Sequence, residues 1–388
     1  MSILPDDFTL LQVTPELETG GAEQTTIDVA HGVIAEGGKA LVATKGGRMA
    51  ARLEADGGRL AQMPAQSKNP LIMLGNAARL IDLIRREKVS VVHARSRAPA
   101  FSALWAAHAT KVPFVATYHG VYNAKSSLKR WYNAVMTKGD LVIANSEYTR
   151  AHVVAEHGIS PDRVVAIPRG VDLTRFEPGL VSAERVKALR EAWGVSSEDR
   201  RLKVLLAGRL TRWKGQALVI EAMGRLKAIS DTRILLLLVG DDQGRKAYRA
   251  ELEHMIAQAG LQDSVKLVGH CDDMPAAYLI ADLAIAPSLE PEAFGRTAVE
   301  PQVMGKPVMA ADHGAARETV LDRETGWLVA PGDVEAWAQA LSNACEAGAA
   351  RRQIMGMAAR ARARKLYSVD AMIEATLKVY ARVLETKS

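Results

Sequence analysis

Short apolar runs rich in β-branched residues recur along this chain, and stretches with helical spacing separate them. In the first half Phe8–Thr14, Ala40–Thr44, Val89–His93, Phe114–Thr117 and Leu141–Ala144 read as buried strands, with Ala22–Glu36 and Leu71–Glu87 as helices between them. Val164–Ile167 adds a further run before a polar passage marked by proline and glycine, Pro168 to Gly179. Lys203–Ala207, Arg233–Val239, Val265–Val268, Leu283–Ala286 and Pro307–Ala310 repeat the theme. Apolar strands alternating with helices predict parallel sheets covered by helices on both faces. Two series predict two doubly wound α/β domains, since 388 residues at 48% hydrophobic content exceed one ordinary core. The expected division is 1–180 and 181–366, with the linker near Phe176–Glu184.

Composition narrows the setting. No apolar run approaches the roughly 20 residues that span a bilayer. Met1 to Thr9 carries Asp6 and Asp7 and no basic region, so no signal peptide is expected. Cys271 and Cys345 offer neither a disulfide framework nor a metal cluster. A reduced, cytoplasmic location is the expectation. A net charge of +6 and a pI near 9.2 suit anionic small molecules or a membrane face and argue only weakly for nucleic acid.

In doubly wound sheets ligands bind beyond the carboxyl ends of the strands. Two constellations fall there. Gly208-Arg209-Leu210-Thr211-Arg212-Trp213-Lys214-Gly215 follows the strand Lys203–Ala207. A guanidinium fork at Arg209 and a point charge at Lys214 suit a diphosphate, and a solvated basic loop is the alternative reading. Pro287 to Glu300 follows the apolar run Ala281–Ala286 and carries Glu292, Phe294, Gly295 and Glu300 before an expected helix. Helix N-termini offer free N–H groups to anions, so glutamates placed there suit sugar hydroxyls or developing positive charge.

With these residues in place the chain resembles the retaining nucleotide-sugar glycosyltransferases of family 4, of bacterial lipopolysaccharide and polysaccharide type, which have the GT-B fold. The resemblance covers almost the whole chain. It rests on Gly20-Gly21, His119, Ile167-Pro168-Arg169-Gly170-Val171-Asp172, Phe176, Gly208-Arg209 with Lys214-Gly215, Gly240, Gly269, Asp282, Pro287-Ser288 and the Glu292/Glu300 pair. It implies two Rossmann-like doubly wound domains facing a cleft, an N-terminal acceptor domain and a C-terminal donor domain. The last helices, about 367–388, would pack back onto the first domain. It implies that Arg209 and Lys214 neutralise the donor diphosphate, that Glu292 lies by the donor sugar, and that Glu300 binds the ribose. Backbone N–H groups around Phe294, Gly295, Arg296 and Thr297 would contact sugar and phosphates. Gly20 and Gly21 would approach the diphosphate where a side chain would collide, and His119 would contact a hydroxyl of the reacting sugar. Gly208, Gly240 and His270 would line the donor site. The activity implied is transfer of a hexose-type sugar from a nucleotide-diphosphate sugar to a glycan or lipid-linked hydroxyl, with no metal and no other cofactor. Asp241-Asp242 and Asp272-Asp273 read as strand-end loop residues, and Asn145-Ser146-Glu147 reads as a helix cap at Ser146.

Some residues depart from the family pattern or have two readings. Pro301 follows Glu300 directly and predicts a helix that begins late or bends. Arg296 either adds charge to the donor pocket or points to solvent. Glu290 is a second carboxylate near Glu292, with the wrong spacing to Glu300. His270 reads more readily as a structural or solvent-facing histidine than as a catalytic one. His93, Arg95 and Arg97 read as an acceptor-side anion patch or a solvated loop, with Tyr122 on the same side. Lys125, Lys129, Arg130 and Lys138, with Trp131 and Tyr132 and no acid in Lys125–Lys138, suit peripheral contact with an anionic membrane face or an ordinary amphipathic helix. A nucleotide-sugar epimerase or phosphorolytic enzyme of the same fold, and a non-catalytic nucleotide-sugar-binding protein, remain alternatives. A nicotinamide oxidoreductase is disfavoured, because Pro15 to Gly21 lacks the dinucleotide G-x-G-x-x-G loop.

Overall fold

The computed structural model describes residues 3–18, 20–122, 126–229 and 233–386. Thr19 of the first turn and Lys125 of the basic segment therefore lie outside the described residues. The chain divides into two units, Met1–Gly170 with Val369–Ser388, and Val171–Ser368.

The first unit holds seven parallel strands: β1 (Thr9–Val13), β2 (Lys39–Thr44), β3 (Arg59–Gln62), β4 (Val91–Ala94), β5 (Phe114–Tyr118), β6 (Leu141–Ala144) and β7 (Val164–Ala166). Their order is β3-β2-β1-β4-β5-β6-β7. The second holds six: β8 (Leu202–Ala207), β9 (Ile234–Val239), β10 (Val265–Gly269), β11 (Leu283–Ala286), β12 (Val308–Ala311) and β13 (Gly326–Val329), in the order β10-β9-β8-β11-β12-β13. Both are doubly wound sheets, as the alternating pattern predicts. The order reverses between β1 and β4 and between β8 and β11, and those are the places where such sheets open a crevice for ligands. The pattern did not reveal β3 and β13. Each is four residues long and lies at a sheet edge, where a strand has only one neighbour and its apolar signal thins.

In the first unit one face of the sheet packs Leu80, Leu83, Phe101 and Leu104 from helices Pro70–Glu87 and Arg97–Thr110. The other face packs Ile27 and Val33 from helix Gly21–Ala35, together with Leu377, Tyr380 and Val383 from helix Val369–Glu385. The last helix is thus a core element of the unit that begins the chain. Tyr380 is fully buried, stacks on Phe8 with centroids 5.9 Å apart, and its hydroxyl lies 2.6 Å from Nδ1 of buried His93. The other His93 nitrogen, Nε2, lies 2.7 Å from Thr117 Oγ1. In the second unit Val171 enters by donating its N–H to Tyr367 O at 2.7 Å and bridging Ser368, which places the unit boundary at both ends of this segment.

Two glycines set the turns beneath the second unit's ligand edge. Gly215 has φ +78°, and a Cβ there would meet Pro287 O at 2.1 Å, so only glycine lets the turn after β8 seat against the turn after β11. At Gly240 a Cβ would lie 1.9 Å from Gly208 O, and Gly208 N donates to Val239 O at 2.8 Å. Gly240 therefore shapes the Gly208 turn from below. Helix Arg296–Val303 begins directly after Gly295 and contains Pro301 in its interior. The proline does not delay the helix; it removes one donor within it, and the helix ends two residues later.

Tyr380→Ala should cost about 3–5 kcal/mol in denaturant unfolding of the first unit, since it empties a closed aromatic site. Gly240→Ala should cost about 1–3 kcal/mol by forcing the Gly208 turn aside, read as a lowered midpoint of denaturant unfolding of the second unit. His93 and His119 are both held well below the ordinary imidazole pKa, by burial first and neighbouring cations second. The unfolded chain takes up those protons near pH 6.5 and the fold does not. Stability should therefore be level above pH 6.5 as far as these groups act, and fall as pH drops below it toward their folded pKa values. Chemical denaturation midpoints between pH 5 and 8 check this.

Candidate functional site

The second unit places its candidate residues at the β8/β11 reversal. The chain leaves β8 at Gly208, forms a short 3₁₀ turn at Arg212–Lys214, and enters helix Gln216–Ile229. Gln216 Nε2 donates to Arg209 O at 2.9 Å and Leu210 N donates to Asp241 O at 3.0 Å, which pins the loop at both ends. The Lys214 stem passes over Gly208, where a Cβ would stand 3.4 Å from Lys214 Cδ. Its ammonium lies 4.4 Å from the Trp213 ring centroid and donates to Glu292 Oε1 at 2.7 Å. Ser288 Oγ donates to the same oxygen. This ion pair is mostly enclosed, with side-chain exposures of 12% and 19%. Arg209 is exposed, and its contact to Gln243 Oε1 is 3.5 Å, the outer limit of a hydrogen bond. Lys214 is thus held in place while Arg209 stays exposed.

Glu292 rather than Glu290 joins this cluster, since Glu290 is exposed. Gly295 caps the next helix, whose first residues Arg296 and Thr297 carry N–H groups with no partner inside the helix. Phe294 is buried and packs edge-to-face on Tyr367 at 5.7 Å, so its side chain belongs to the core and only its backbone remains for a ligand. Arg296 neither fills the pocket as a loose cation nor points away: its Nε lies 3.3 Å from Glu300 Oε1. Tyr278, fully buried, donates to Glu300 Oε2 at 3.3 Å. Burial raises the Glu300 carboxyl above the usual range, against the opposing pull of Arg296 and the Tyr278 hydroxyl.

His270 stands apart from this cluster, on the turn after edge strand β10, exposed, with Nε2 2.9 Å from Asp272 Oδ1. Asp273 caps helix Met274–Ile280 and pairs with Arg185, and Asp241 and Asp242 accept backbone N–H groups of Gln243 and Gly244. His313 was not anticipated. Its Nε2 lies 2.8 Å from Ser288 O, its Nδ1 is buried without a hydrogen-bond partner, and it lines a cavity of about 20 Å³ with Ser288, Glu292 and Gly295. The polar triplet Asp312-His313-Gly314 after an apolar strand was the available signal. A Cβ at Gly314 would stand 2.7 Å from Glu292 O, and Ala315 N donates to that oxygen at 3.0 Å, so the turn braces the Glu292 backbone.

In the first unit Gly20 caps helix Gly21–Ala35 with its backbone alone. His119 follows β5 on a half-buried turn. Its carbonyl accepts from Asn145 Nδ2 at 3.0 Å and Arg169 Nη2 at 3.3 Å. Tyr122 lies under Arg97, whose guanidinium carbon is 4.1 Å from the ring centroid. The expected anion patch is not formed as a surface. His93 and Arg95 are buried, and Arg95 Nε donates to Gln12 Oε1 at 2.7 Å, because β4 is a central strand and its end is roofed by neighbouring strands and the last helix. Arg97, half-buried, donates to Asn133 Oδ1 at 2.8 Å. Ser146 caps helix Glu147–His157 as expected, accepting from Thr149 N at 3.0 Å. In helix Ser127–Ala134, Leu128 and Trp131 are 74% and 65% exposed, and Arg130 pairs with Glu156 at 2.9 Å.

Comparison with known proteins places the arrangement. The model of glycosyl transferases group 1 matches residues 190–362, and that of glycosyltransferase family 4 matches residues 19–175. A glycosyltransferase of Rickettsia africae is 34% identical, with a TM-score of 0.89 over 98% of this chain and 100% of that one. The Anabaena protein HepE, solved with UDP and glucose, is 25% identical, with a TM-score of 0.80 over 97% and 100%. D-inositol 3-phosphate glycosyltransferase of Xylanimonas cellulosilytica is 32% identical over 65% of this chain, and the match spans 59% of that protein's length. With two Rossmann-like units, a cationic loop ion-paired to a glutamate at the second sheet's reversal, and these matches, the chain belongs to the glycosyltransferases that join a family 4 domain to a group 1 domain.

Proposed function

We propose that this chain moves a hexose-type sugar, with retention and without a metal, from a nucleotide-diphosphate sugar to a hydroxyl of a glycan or lipid-linked acceptor of the cell envelope. The observation that carries the reading is the enclosed ion pair at the β8/β11 reversal between Glu292, after β11, and Lys214, which shares the loop after β8 with exposed Arg209. Breaking the bond between the sugar and the diphosphate builds negative charge on the leaving phosphate and positive charge at the anomeric carbon. Cations already fixed near the phosphate gain strength as that charge grows, and so lower the barrier. Lys214 serves this role because Glu292 and Ser288 hold it before the donor arrives. The acid then sits beside the sugar while the ammonium faces phosphate. Glu300, tied between Arg296 and Tyr278, is preset to accept ribose hydroxyls. A relative solved with UDP and glucose supports a nucleotide-sugar donor.

The acceptor reading draws on the first unit. His119 would meet a sugar hydroxyl, with Arg97 and Tyr122 beside it. A lipid-linked acceptor is supported by exposed Leu128 and Trp131 on a helix that also carries Lys129 and Arg130, a pairing suited to the inner face of an anionic membrane. Among the described residues no helix is long and apolar enough to cross a membrane, so peripheral contact is the form proposed.

Lys214→Ala should weaken donor binding and turnover by about 1.5–3 kcal/mol, the worth of one charge-assisted phosphate bond; unchanged kinetics would remove Lys214 from the site. Glu300→Gln should mainly raise the donor's dissociation constant, and a pure loss of rate would refute its ribose role. A thermal-shift panel of uridine, guanosine and adenosine diphosphates and their sugars identifies the donor, because a ligand of the native state raises the melting temperature. Conversion of donor alone, with no product on any acceptor, would favour an epimerase instead. Sedimentation with vesicles containing anionic lipid should carry the protein down at low salt and release it at high salt; absence of binding at low salt refutes the membrane contact.

A further inference from the structure

The turn after β12 reaches the loop after β11 at two points. Ala315 N donates to Glu292 O at 3.0 Å, and His313 Nε2 lies 2.8 Å from Ser288 O. The turn is itself anchored: Asp312 N donates to Val329 O at 2.7 Å, and Arg317 Nε donates to Asp312 Oδ1 at 2.8 Å. Ser288 O belongs to the Ser288–Leu289 peptide. The N–H of that same peptide, on Leu289, donates to Trp213 O at 2.7 Å. One peptide unit is therefore gripped from both sides, at its carbonyl by the turn after β12 and at its amide by the loop after β8. Lys214 follows Trp213 in that loop. Ser288 is 3% exposed, and its hydroxyl donates to Glu292 Oε1, the oxygen that also receives Lys214. An unbroken chain of hydrogen bonds thus runs from the His313 imidazole through Ser288 to Glu292 and Lys214.

We infer that His313 is a positioning residue for the Lys214–Glu292 pair: its Nε2–H holds the Ser288–Leu289 peptide at one tilt, and that peptide fixes the Ser288 hydroxyl and the Trp213 backbone on either side of the ammonium. The tautomer follows from the partner. A carbonyl oxygen only accepts, so the ring nitrogen facing it carries the proton. Nδ1 is buried with no hydrogen-bond partner, so no acceptor draws the proton to the other side of the ring. The peptide is a rigid plane, and only the soft torsions at its two ends let it rock. Without the imidazole a buried carbonyl loses its donor, which costs free energy, and the plane turns to find another. Rocking weakens the Leu289 bond to Trp213, and Trp213 immediately precedes Lys214. A charge displaced by about 1 Å from its productive place can cost about a hundredfold in rate. An imidazole spans the gap with fewer rotatable bonds to freeze than a glutamine, so it holds the carbonyl at a lower entropic cost.

The inference rests on the donor reading of Lys214 only for its kinetic arm, and the test keeps the two apart. In long-range ¹H–¹⁵N spectra of the full chain labelled in histidine, assigned with His313→Gln, His313 should be the neutral Nε2–H form at about pH 8, above the ordinary imidazole range. A proton on Nδ1 instead refutes the link to Ser288, whatever the enzyme transfers. Hydrogen exchange at the Leu289 amide should quicken in His313→Met, which keeps similar bulk and removes the donor, and slow again in His313→Gln, whose amide N–H can meet the same carbonyl. Unchanged exchange in His313→Met overturns the grip. The kinetic arm uses the nucleotide sugar that gives the largest thermal shift, with rates counted per folded donor-binding site. His313→Met should lower kcat about ten- to a hundredfold with a smaller rise in donor KM, because charge on the leaving phosphate is greatest in the transition state. His313→Gln should recover much of that loss. In a Lys214→Ala background His313→Met should have little further effect, since the group it positions is gone. A merely structural histidine would lower the unfolding midpoint and leave kcat per folded site intact. That result, equal rates for the Met and Gln variants, or a full His313→Met loss without Lys214, overturns the positioning role. The expected tautomer and exchange in a chain that transfers sugar from no nucleotide sugar tested would keep the grip on Ser288 and overturn the proposed function.

Discussion

Parallel strands buried on both faces leave chemistry almost nowhere to go except the carboxyl edge of the sheet. Their side chains are committed to the two apolar layers, and their backbone groups to the ladders. Each unit of this chain obeys that constraint. The polar residues of interest appear in the first few positions after β4, β5, β6 and β7 in one unit, and after β8, β11 and β12 in the other. The reversal of strand order opens a crevice there, and the turns crossing it decide which side chains meet. In the second unit Gly215 against Pro287 and Gly240 against Gly208 bring those turns close enough for Lys214 to reach Glu292.

The enclosed ion pair illustrates how such a site is prepared. A lysine fully free in solvent would offer a diphosphate the same charge, but it would lose more side-chain freedom on binding. Here Glu292, Ser288 and the Trp213 ring fix the ammonium beforehand, and the His313 turn braces the glutamate. In the role proposed for it, Lys214 would meet a ligand phosphate with an ammonium whose position is already set. In the first unit the main-chain carbonyl of His119 is held in a similar way, by the Asn145 amide and the Arg169 guanidinium.

Much of the fold was legible from local pattern. Among the described residues the apolar runs marked eleven of thirteen strands, and the two missed, β3 and β13, are short edge strands whose burial is one-sided. The placement of the proposed donor residues was legible too, because Arg209, Lys214, Glu292 and Glu300 stand in fixed relation to strand ends and helix starts. Residues whose meaning depends on what covers them were not. Arg95 and Arg97 are two positions apart and look alike in sequence, yet one is sealed in the core and the other lies on an aromatic ring. His313 carries no local mark beyond a polar triplet after a strand.

Sequence by itself determined the class of architecture, the two-unit organisation and the family, since periodicity, glycine turns and charge spacing are local properties of the chain. The tertiary structure decided which charges are spent on one another and which are left for a ligand. Arg296 is taken by Glu300, Arg130 by Glu156, and Arg95 by Gln12, while Arg209 stays exposed. That partition depends on contacts between residues tens or hundreds of positions apart. Tyr380 reaching His93 from the last helix is the clearest case: no window of sequence contains both, and only packing of the final helix against the opening strands brings them within 2.6 Å.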